Sequence, residues 1–148
     1  MLLREILQSK PSRLVTIADT VSLQKAGEEL NRQGVGMLLV TAPDGHFVGM
    51  LSERDFVHFV SRHGHRALSL QVRNAMVEVT ITASPTNSVT DIMRIMTEQR
   101  MRHLPVLDGA TLVGVISIGD ILHSRVAEKD LEATVLRDLA RTSPVVAA

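Results

Sequence analysis

Apolar positions fall into short runs separated by amphipathic stretches, and the first half of the chain shows this order once. The pattern predicts strand, helix, strand, strand and helix, at Val15 to Ile17, about Leu23 to Gln33, Met37 to Val40, Phe47 to Leu51 and about Glu53 to Arg62. Ser22 is a suitable N-cap for the first helix, and Gly34 is a suitable residue to end it. The first half is therefore predicted to form a βαββα module.

The second half repeats this order. It predicts a strand near Val79 to Thr82, a helix from about Val89 to Gln99, strands at His103 to Leu107 and Leu112 to Ser117, and a helix from near Gly119 to about Ala140. Neither module is large enough to bury both faces of its sheet alone. We therefore expect an α/β (α+β) fold in which two βαββα modules pack as a pseudo-two-fold pair.

Further helices flank the two modules. Leu2, Leu3, Ile6 and Leu7 have helical spacing and precede a break at Ser9 to Ser12, while His63 to Leu70 reads as a linker. The final helix carries an apolar stripe of Leu131, Val135, Leu136 and Leu139, which either folds back onto the pair or meets another subunit. We predict module 1 with its N-terminal helix and linker at 1–70, module 2 at 71–125, and a C-terminal helix and tail at 126–148.

One segment occurs in both halves: Val48 to Asp55 returns as Val113 to Asp120. In each copy a glycine-containing apolar strand ends in a serine, and a carboxylate follows three residues later where a helix should begin. A single Ser-x-x-Asp is best explained as a capping box. Its duplication after matching strands also favours a site for a ribose phosphate.

Composition narrows the range of functions. The chain has 148 residues, 45% of them apolar but only 2% aromatic, with 16 basic and 16 acidic side chains and no cysteine. Zero net charge gives no electrostatic reason to expect nucleic acid or an anionic membrane as a partner. The first ten residues resemble neither a signal peptide nor a membrane span, so a cytoplasmic protein is the expectation.

The tandem repeat, with Gly-apolar-apolar-Ser-x-x-Asp in each copy and Arg102-His103-Leu104-Pro105-Val106 in the second, resembles a pair of cystathionine-β-synthase (CBS) domains, also called a Bateman module. The resemblance spans about Leu2 to Leu122. It implies a stand-alone, non-catalytic sensor whose two clefts bind adenosine compounds: AMP, ADP, ATP, NAD(H) or S-adenosylmethionine. It also implies a homodimer of stacked pairs and an effector protein of unknown identity, with no metal required.

The resemblance assigns roles to particular residues. It implies that Asp55 and Asp120 bind the ribose hydroxyls, and that Ser52 and Ser117 face the ribose or first phosphate. Backbone at Thr16-Ile17 and Thr80-Ile81 would meet the adenine edge, while Val35, Met37 and Met101 cover its faces. Arg54 would pair with a phosphate. The second copy has Ile118-Gly119 where the first has Glu53-Arg54, so Arg102, His103 or an arginine from the first copy would supply its charge, and the two clefts should differ.

Other interpretations stay open. A dimeric interaction scaffold with degenerate or empty clefts is the main alternative, and a nucleotide-hydrolysing enzyme would rest on the carboxylates alone. Gly34-Val35-Gly36 precedes a strand instead of following one, so it is not a dinucleotide fingerprint. His58, His63 and His65 indicate solvated surface in preference to a metal site. Met93, Met96 and Met101 indicate core or dimer packing in preference to an interaction surface.

Overall fold

The computed structural model describes residues 1–10 and 14–142, which form two compact units. We call the described residues from 14 to 82 the inner unit, and residues 1–10 together with 83–142 the outer unit. Pro11 and Ser12 of the predicted break, and the tail beyond Thr142, lie outside the described residues. These units reflect packing within the fold, whereas the predicted boundaries at 70 and 125 mark copies in the sequence and stay a prediction.

The elements follow the predicted order closely. In chain order they are α1 (Leu3–Ser9), β1 (Thr16–Ala18), α2 (Leu23–Gln33), β2 (Met37–Thr41), β3 (Phe47–Ser52), α3 (Glu53–His63), a 3₁₀ helix (Gly64–Ser69), α4 (Val72–Ala75), β4 (Val77–Glu78), α5 (Val89–Gln99), β5 (His103–Asp108), β6 (Thr111–Ser117) and α6 (Ile118–Thr142). The predicted linker thus contains a 3₁₀ helix, and a short helix follows it. The mixed α/β fold with a long C-terminal helix is confirmed.

The inner unit is built on a four-stranded sheet of order β1-β2-β3-β4. β1 runs parallel to β2, and the remaining neighbours are antiparallel. Leu38, Val40 and Leu51 are fully buried and pack with Leu23, Ala26 and Leu30 on one face of α2. The helix begins where Ser22 accepts a hydrogen bond from the Lys25 amide, and it ends at Gly34 with φ 63°.

The outer unit has the two-stranded sheet β5-β6 and lacks the strand predicted near Val79 to Thr82. On the edge of β5 that faces away from β6, Ala83 forms a single parallel bridge to Val106. In the inner unit, the Leu39 amide donates to the carbonyl of Val15 at 2.9 Å and helps hold β1 in the sheet. The matching position in β5 is Pro105, which has no N–H to donate. The prediction was wrong because proline removes that ladder bond.

The short helices α1 and α4 occupy matching places in the two units. Leu3 in α1 is fully buried in the outer unit, where its amide donates to the Asn87 carbonyl at 3.0 Å. Val72 in α4 is fully buried in the inner unit, and its amide donates to the Val21 carbonyl at 2.8 Å. Each unit therefore takes its short helix from the sequence that leads into the other repeat.

These short helices explain the glycine in the repeated segment. A Cβ on Gly49 would lie 2.8 Å from the Val77 carbonyl oxygen and 2.9 Å from the Met76 sulphur. On Gly114 it would lie 2.5 Å from Cδ2 of Leu7, the residue that matches Met76 in the sequence repeat. A glycine at this position lets these segments pack closely against the strand.

Candidate functional site

The repeated serine and aspartate form a capping box at the start of α3. Ser52 Oγ accepts from the Asp55 amide at 3.0 Å, and Asp55 Oδ2 accepts from the Ser52 amide at 2.9 Å. At the start of α6, the bonds between Ser117 and Asp120 are 3.0 and 2.8 Å. The capping-box interpretation is therefore confirmed in both repeats. In each aspartate the cap engages Oδ2, which leaves Oδ1 facing away from that bond.

A third Ser-x-x-Asp begins α5 and behaves differently. Ser88 Oγ accepts from the Asp91 amide at 3.1 Å, but the Asp91 carboxylate lies 3.4 Å from Arg94 on the same helix face and does not complete the box. This helix does not follow a sheet strand. The motif by itself is thus a helix start, and only the two copies at strand ends combine it with a loop.

That loop lies before β2 in the inner unit and before β5 in the outer unit. The Glu53 amide donates to the Gly36 carbonyl at 2.9 Å, and the Ile118 amide donates to the Arg102 carbonyl at 3.0 Å. The strand register places Met37 opposite Ser52 and His103 opposite Ser117. Loop, strand end and helix start therefore meet at one place in each repeat.

The two loops carry different side chains. Gly34-Val35-Gly36 in the inner unit corresponds to Arg100-Met101-Arg102 in the outer unit, in which the first and last side chains are exposed. Gly34 and Arg100 both end their helix in the left-handed conformation, with φ 63° and 53°. Arg102 thus has its backbone at the start of α6, and the outer loop carries two arginines where the inner loop has two glycines.

The remaining predicted site residues fall into exposed and buried groups. Arg54 and Thr16 are exposed, whereas the Ile17 side chain is 7% exposed and belongs to the core, so only its backbone can meet a ligand. Val35, Met37 and Met101 are half-buried beside the loops, where apolar surface is available. Arg54 also lines a shallow depression of about 690 Å³ along α3, together with Glu53, Asp55, Val57, His58 and Ser61.

Thr80 and Ile81 are not the structural counterparts of Thr16 and Ile17. Ile17 pairs with Val40, and the residue that pairs with the matching Val106 is Ala83. The sequence match at Val79 to Ile81 is therefore displaced by two residues from the structural match. Thr82 and Ala83 hold the positions that correspond to Thr16 and Ile17.

The sequence prediction missed Lys10. Its Nζ lies 2.7 Å from Asp120 Oδ2 and donates to the Val115 carbonyl at 2.6 Å. Burial disfavours the Asp120 carboxylate, but hydrogen bonds from Lys10 and Ser117 outweigh it and hold the pKa of Asp120 below its ordinary value of 3.8. A lysine within a predicted break gave no indication of this contact, because its partner lies in the other half of the chain.

Among residues 1–10 and 14–142, no three His, Cys, Asp or Glu side chains gather in a way that could hold a metal ion. Within the same ranges, no helix has the length and apolar character needed to cross a membrane.

Comparison with known proteins identifies the repeat. The family model described as "CBS domain" matches residues 3–62 and 72–127, which is most of the chain. This protein belongs to the CBS-domain family. The two matched CBS domains begin at α1 and α4, the short helices that are exchanged between the units. CBS-domain proteins are typically regulatory or sensor modules.

Individual CBS-domain proteins are similar to this chain in sequence or in fold. A mitochondrial CBS domain-containing protein of Arabidopsis thaliana is 32% identical over 117 residues, covering 76% of this chain, which spans 56% of that relative's length. A CBS-domain containing protein from Agrobacterium tumefaciens is 33% identical with a TM-score of 0.77, over 84% of this chain and 92% of that one. A Pyrobaculum aerophilum CBS domain protein complexed with AMP is 28% identical with a TM-score of 0.69, over 81% and 89%.

Proposed function

We propose that this pair of CBS domains is a non-catalytic regulatory module that binds an adenosine phosphate, of the AMP, ADP, ATP or NAD type, at the helix start that closes each repeat. The observation that carries the proposal is the convergence of a capping box, a loop carbonyl and a strand end at the same place in both repeats. The AMP complex of the Pyrobaculum relative supports the choice of ligand class.

The chemistry suits a ribose phosphate. A carboxylate accepts hydrogen bonds from both ribose hydroxyls. The cap takes Oδ2 of each aspartate, so Oδ1 of Asp55 and of Asp120 is the oxygen available to a diol. A phosphate would meet the positive end of the helix dipole, where the amides of Arg54 and Gly119 make no hydrogen bond among the described residues.

The two helix starts would contact a phosphate differently. In the first repeat, Arg54 can add a planar guanidinium that binds phosphate through two hydrogen bonds. In the second repeat, Gly119 has no side chain, so the phosphate can approach the backbone. The positive charge that balances the phosphate must then come from other elements. We therefore expect two sites with unequal affinity or unequal preference for phosphate number.

Titration calorimetry with AMP, ATP, NAD and S-adenosylmethionine tests the proposal. Asp55→Asn and Asp120→Asn should each remove one site or weaken it about tenfold, because asparagine keeps an acceptor for the cap but loses the charge and one ribose acceptor. Asp91→Asn is the matched control, since Asp91 follows a serine cap at a helix start without the loop. No heat with any of these ligands, or two identical sites, would contradict the proposal.

The absence of catalysis is a separate part of the proposal. Incubating the protein with ATP and separating the nucleotides by ion exchange should return ATP unchanged. Release of ADP or AMP above the rate in buffer would replace the regulatory assignment with a hydrolase. A cytoplasmic location stays a prediction from the sequence.

A protein-interaction function is favoured by one observation, the apolar stripe of α6. Leu131, Val135, Leu136 and Leu139 are 48 to 66% exposed within their unit. Residues 128–132 carry three carboxylates and one lysine, while residues 137–141 carry two arginines and one aspartate. Antiparallel pairing of α6 with α6 of a second copy would bring these opposite charges together, so we propose that the stripe forms a homodimer contact.

Sedimentation velocity tests this contact. The parent protein should sediment as a dimer, and Leu131→Ser with Leu139→Ser should shift it toward monomer. Leu122→Ser is the control, because Leu122 is also exposed on α6, at 56%, but lies before the stripe. If the double variant leaves the dimer intact, the dimer of stacked pairs that the family resemblance implies becomes the better explanation.

A further inference from the structure

Lys10 joins the N-terminal segment to the carboxylate of the second repeat. It caps the C-terminal end of α1, and its ammonium lies 2.7 Å from Asp120 Oδ2 and 2.6 Å from the Val115 carbonyl oxygen. The two side chains are 32 and 24% exposed, so the pair is accessible to a small ligand but not fully solvated. Since α1 and α6 belong to the same compact unit, this contact is internal to that unit.

The first repeat has no equivalent of Lys10. Met76 caps the C-terminal end of α4, and the residues that follow it, Val77 to Val79, include no lysine or arginine. Among the described residues, Asp55 makes no ion pair. The charge carried by Arg54 on the first helix is thus absent from the second helix, and a lysine from the N-terminal segment is present instead.

The ammonium is held next to the start of α6. The amide of Ser117 and the ammonium of Lys10 bind the same oxygen, Oδ2 of Asp120, so both lie beside the end of the helix that attracts an anion. An ammonium has three N–H donors, and two of them are used by Val115 and Asp120. Among residues 1–10 and 14–142 the third N–H has no partner, so it can donate to a ligand, and the bond to the Val115 carbonyl holds the ammonium in place.

From this geometry we infer that Lys10 is the phosphate-binding cation of the second repeat, and so determines its specificity for a phosphorylated over an unphosphorylated adenosine. This inference rests on the proposed function. Asp120 takes the ribose with Oδ1 while Lys10, still bound to Oδ2 and Val115, donates its third hydrogen to the phosphate. The first repeat obtains the same discrimination from Arg54, a residue of its own helix.

The contrast between AMP and adenosine tests the inference, because the two ligands differ only in the phosphate. In the Asp55→Asn protein, which isolates the second site, Lys10→Met should weaken AMP about tenfold, as expected when one charge-assisted hydrogen bond is lost. Adenosine binding should change less than about threefold, since it makes no bond to Lys10. Lys10→Arg should restore most of the AMP affinity, and Lys25→Met, which removes an exposed lysine of α2, should match the parent.

Each other result overturns the inference. Equal weakening of AMP and adenosine would make Lys10 a structural ion pair, and tightening of both would make it a competitor for Asp120. Parent protein that binds neither ligand would remove the proposed function itself, whereas normal AMP binding by the Lys10 variants would remove only this inference.

A measurement on unmutated protein covers the case in which the Lys10 variants fold poorly. The side-chain ¹⁵N resonance of Lys10 should shift when AMP is added and stay in place with adenosine. If AMP shifts the backbone amide resonance of Gly119 but not the side-chain resonance of Lys10, the phosphate lies away from Lys10 and the inference is overturned.

Discussion

The two repeats share the same backbone hydrogen bonds where their closing helices begin, but they carry their cations on different segments. In the first repeat, the capping aspartate Asp55 has an arginine beside it on the helix and glycines on the facing loop. In the second repeat, Asp120 is paired with a lysine from the N-terminal segment at 2.7 Å, and the facing loop carries Arg100 and Arg102. The caps and the loop carbonyl bonds are the same within 0.1 Å. Duplication has preserved the hydrogen bonds of the backbone and moved the cations onto other segments.

The largest difference between the repeats should appear when their strand glycines are replaced. Gly49→Ala should destabilise the fold by about 2 kcal/mol, because its Cβ would meet a backbone oxygen at 2.8 Å that cannot move without disturbing β4. Gly114→Ala should cost about 1 kcal/mol, since the end of the Leu7 side chain can turn away. Urea unfolding measures both, with Gly36→Ala as a control that has open space around the added Cβ. Equal costs would show that the short helices pack alike.

The helix ends at Gly34 and Arg100 provide a reciprocal test. Gly34→Ala should cost about 1 kcal/mol because alanine is strained at positive φ. Arg100→Gly should stabilise the protein by about 0.5 kcal/mol, the relief of strain being partly offset by the greater freedom of glycine in the unfolded chain. Thermal melting of the two variants against the parent measures the signs. A destabilised Arg100→Gly protein would mean that the arginine side chain makes a stabilising contact.

The Lys10–Asp120 pair should give a smaller, pH-dependent effect. The pKa of Asp120 is lowered in the folded protein, so its contribution to stability is complete above the ordinary value of 3.8 and is lost as the pH falls through the folded value. The difference in urea midpoint between about pH 6 and about pH 3 should therefore shrink in Asp120→Asn. Lys10→Met should shrink it too, because the same ion pair is removed. An unchanged difference in both variants would mean that other carboxylates dominate the acid response.

The most local effect is a change in hydrogen exchange where the second repeat lacks a strand beside β5. Pro105→Val adds a backbone N–H at the position that matches Leu39 of the first repeat. The new amide should donate to the carbonyl of Ile81, as the Leu39 amide donates to that of Val15. Hydrogen exchange should show protection at residue 105 similar to that of Leu39, while overall stability changes by less than about 1.5 kcal/mol. Fast exchange at residue 105 would show that proline is not what limits this strand to a single bridge.

The sequence pattern predicted most of the fold because the helices carry their own start and stop residues. Ser22 and Gly34 defined α2 to the residue, and the repeat located both copies of the capped aspartate. The strand near Val79 was misplaced, because Val79 to Ile81 resemble Val15 to Ile17 in residue type while Ala83 holds the position that matches Ile17. Residue similarity carries no information on the hydrogen bond that Pro105 removes from the ladder. Lys10 and the exchange of α1 and α4 could not be predicted from local pattern, since both depend on contacts between segments that lie far apart in the chain.

The exchange of the short helices has a consequence for synthesis on the ribosome. The inner unit is one continuous stretch, so it can fold as soon as residue 82 has left the exit tunnel. The outer unit cannot, because its first helix is made before residues 83 onward and must wait for them to bury Leu3 and Ile6. During that interval the nascent chain exposes an apolar helix beside a finished unit, which makes closure of this long loop the expected slow step of folding.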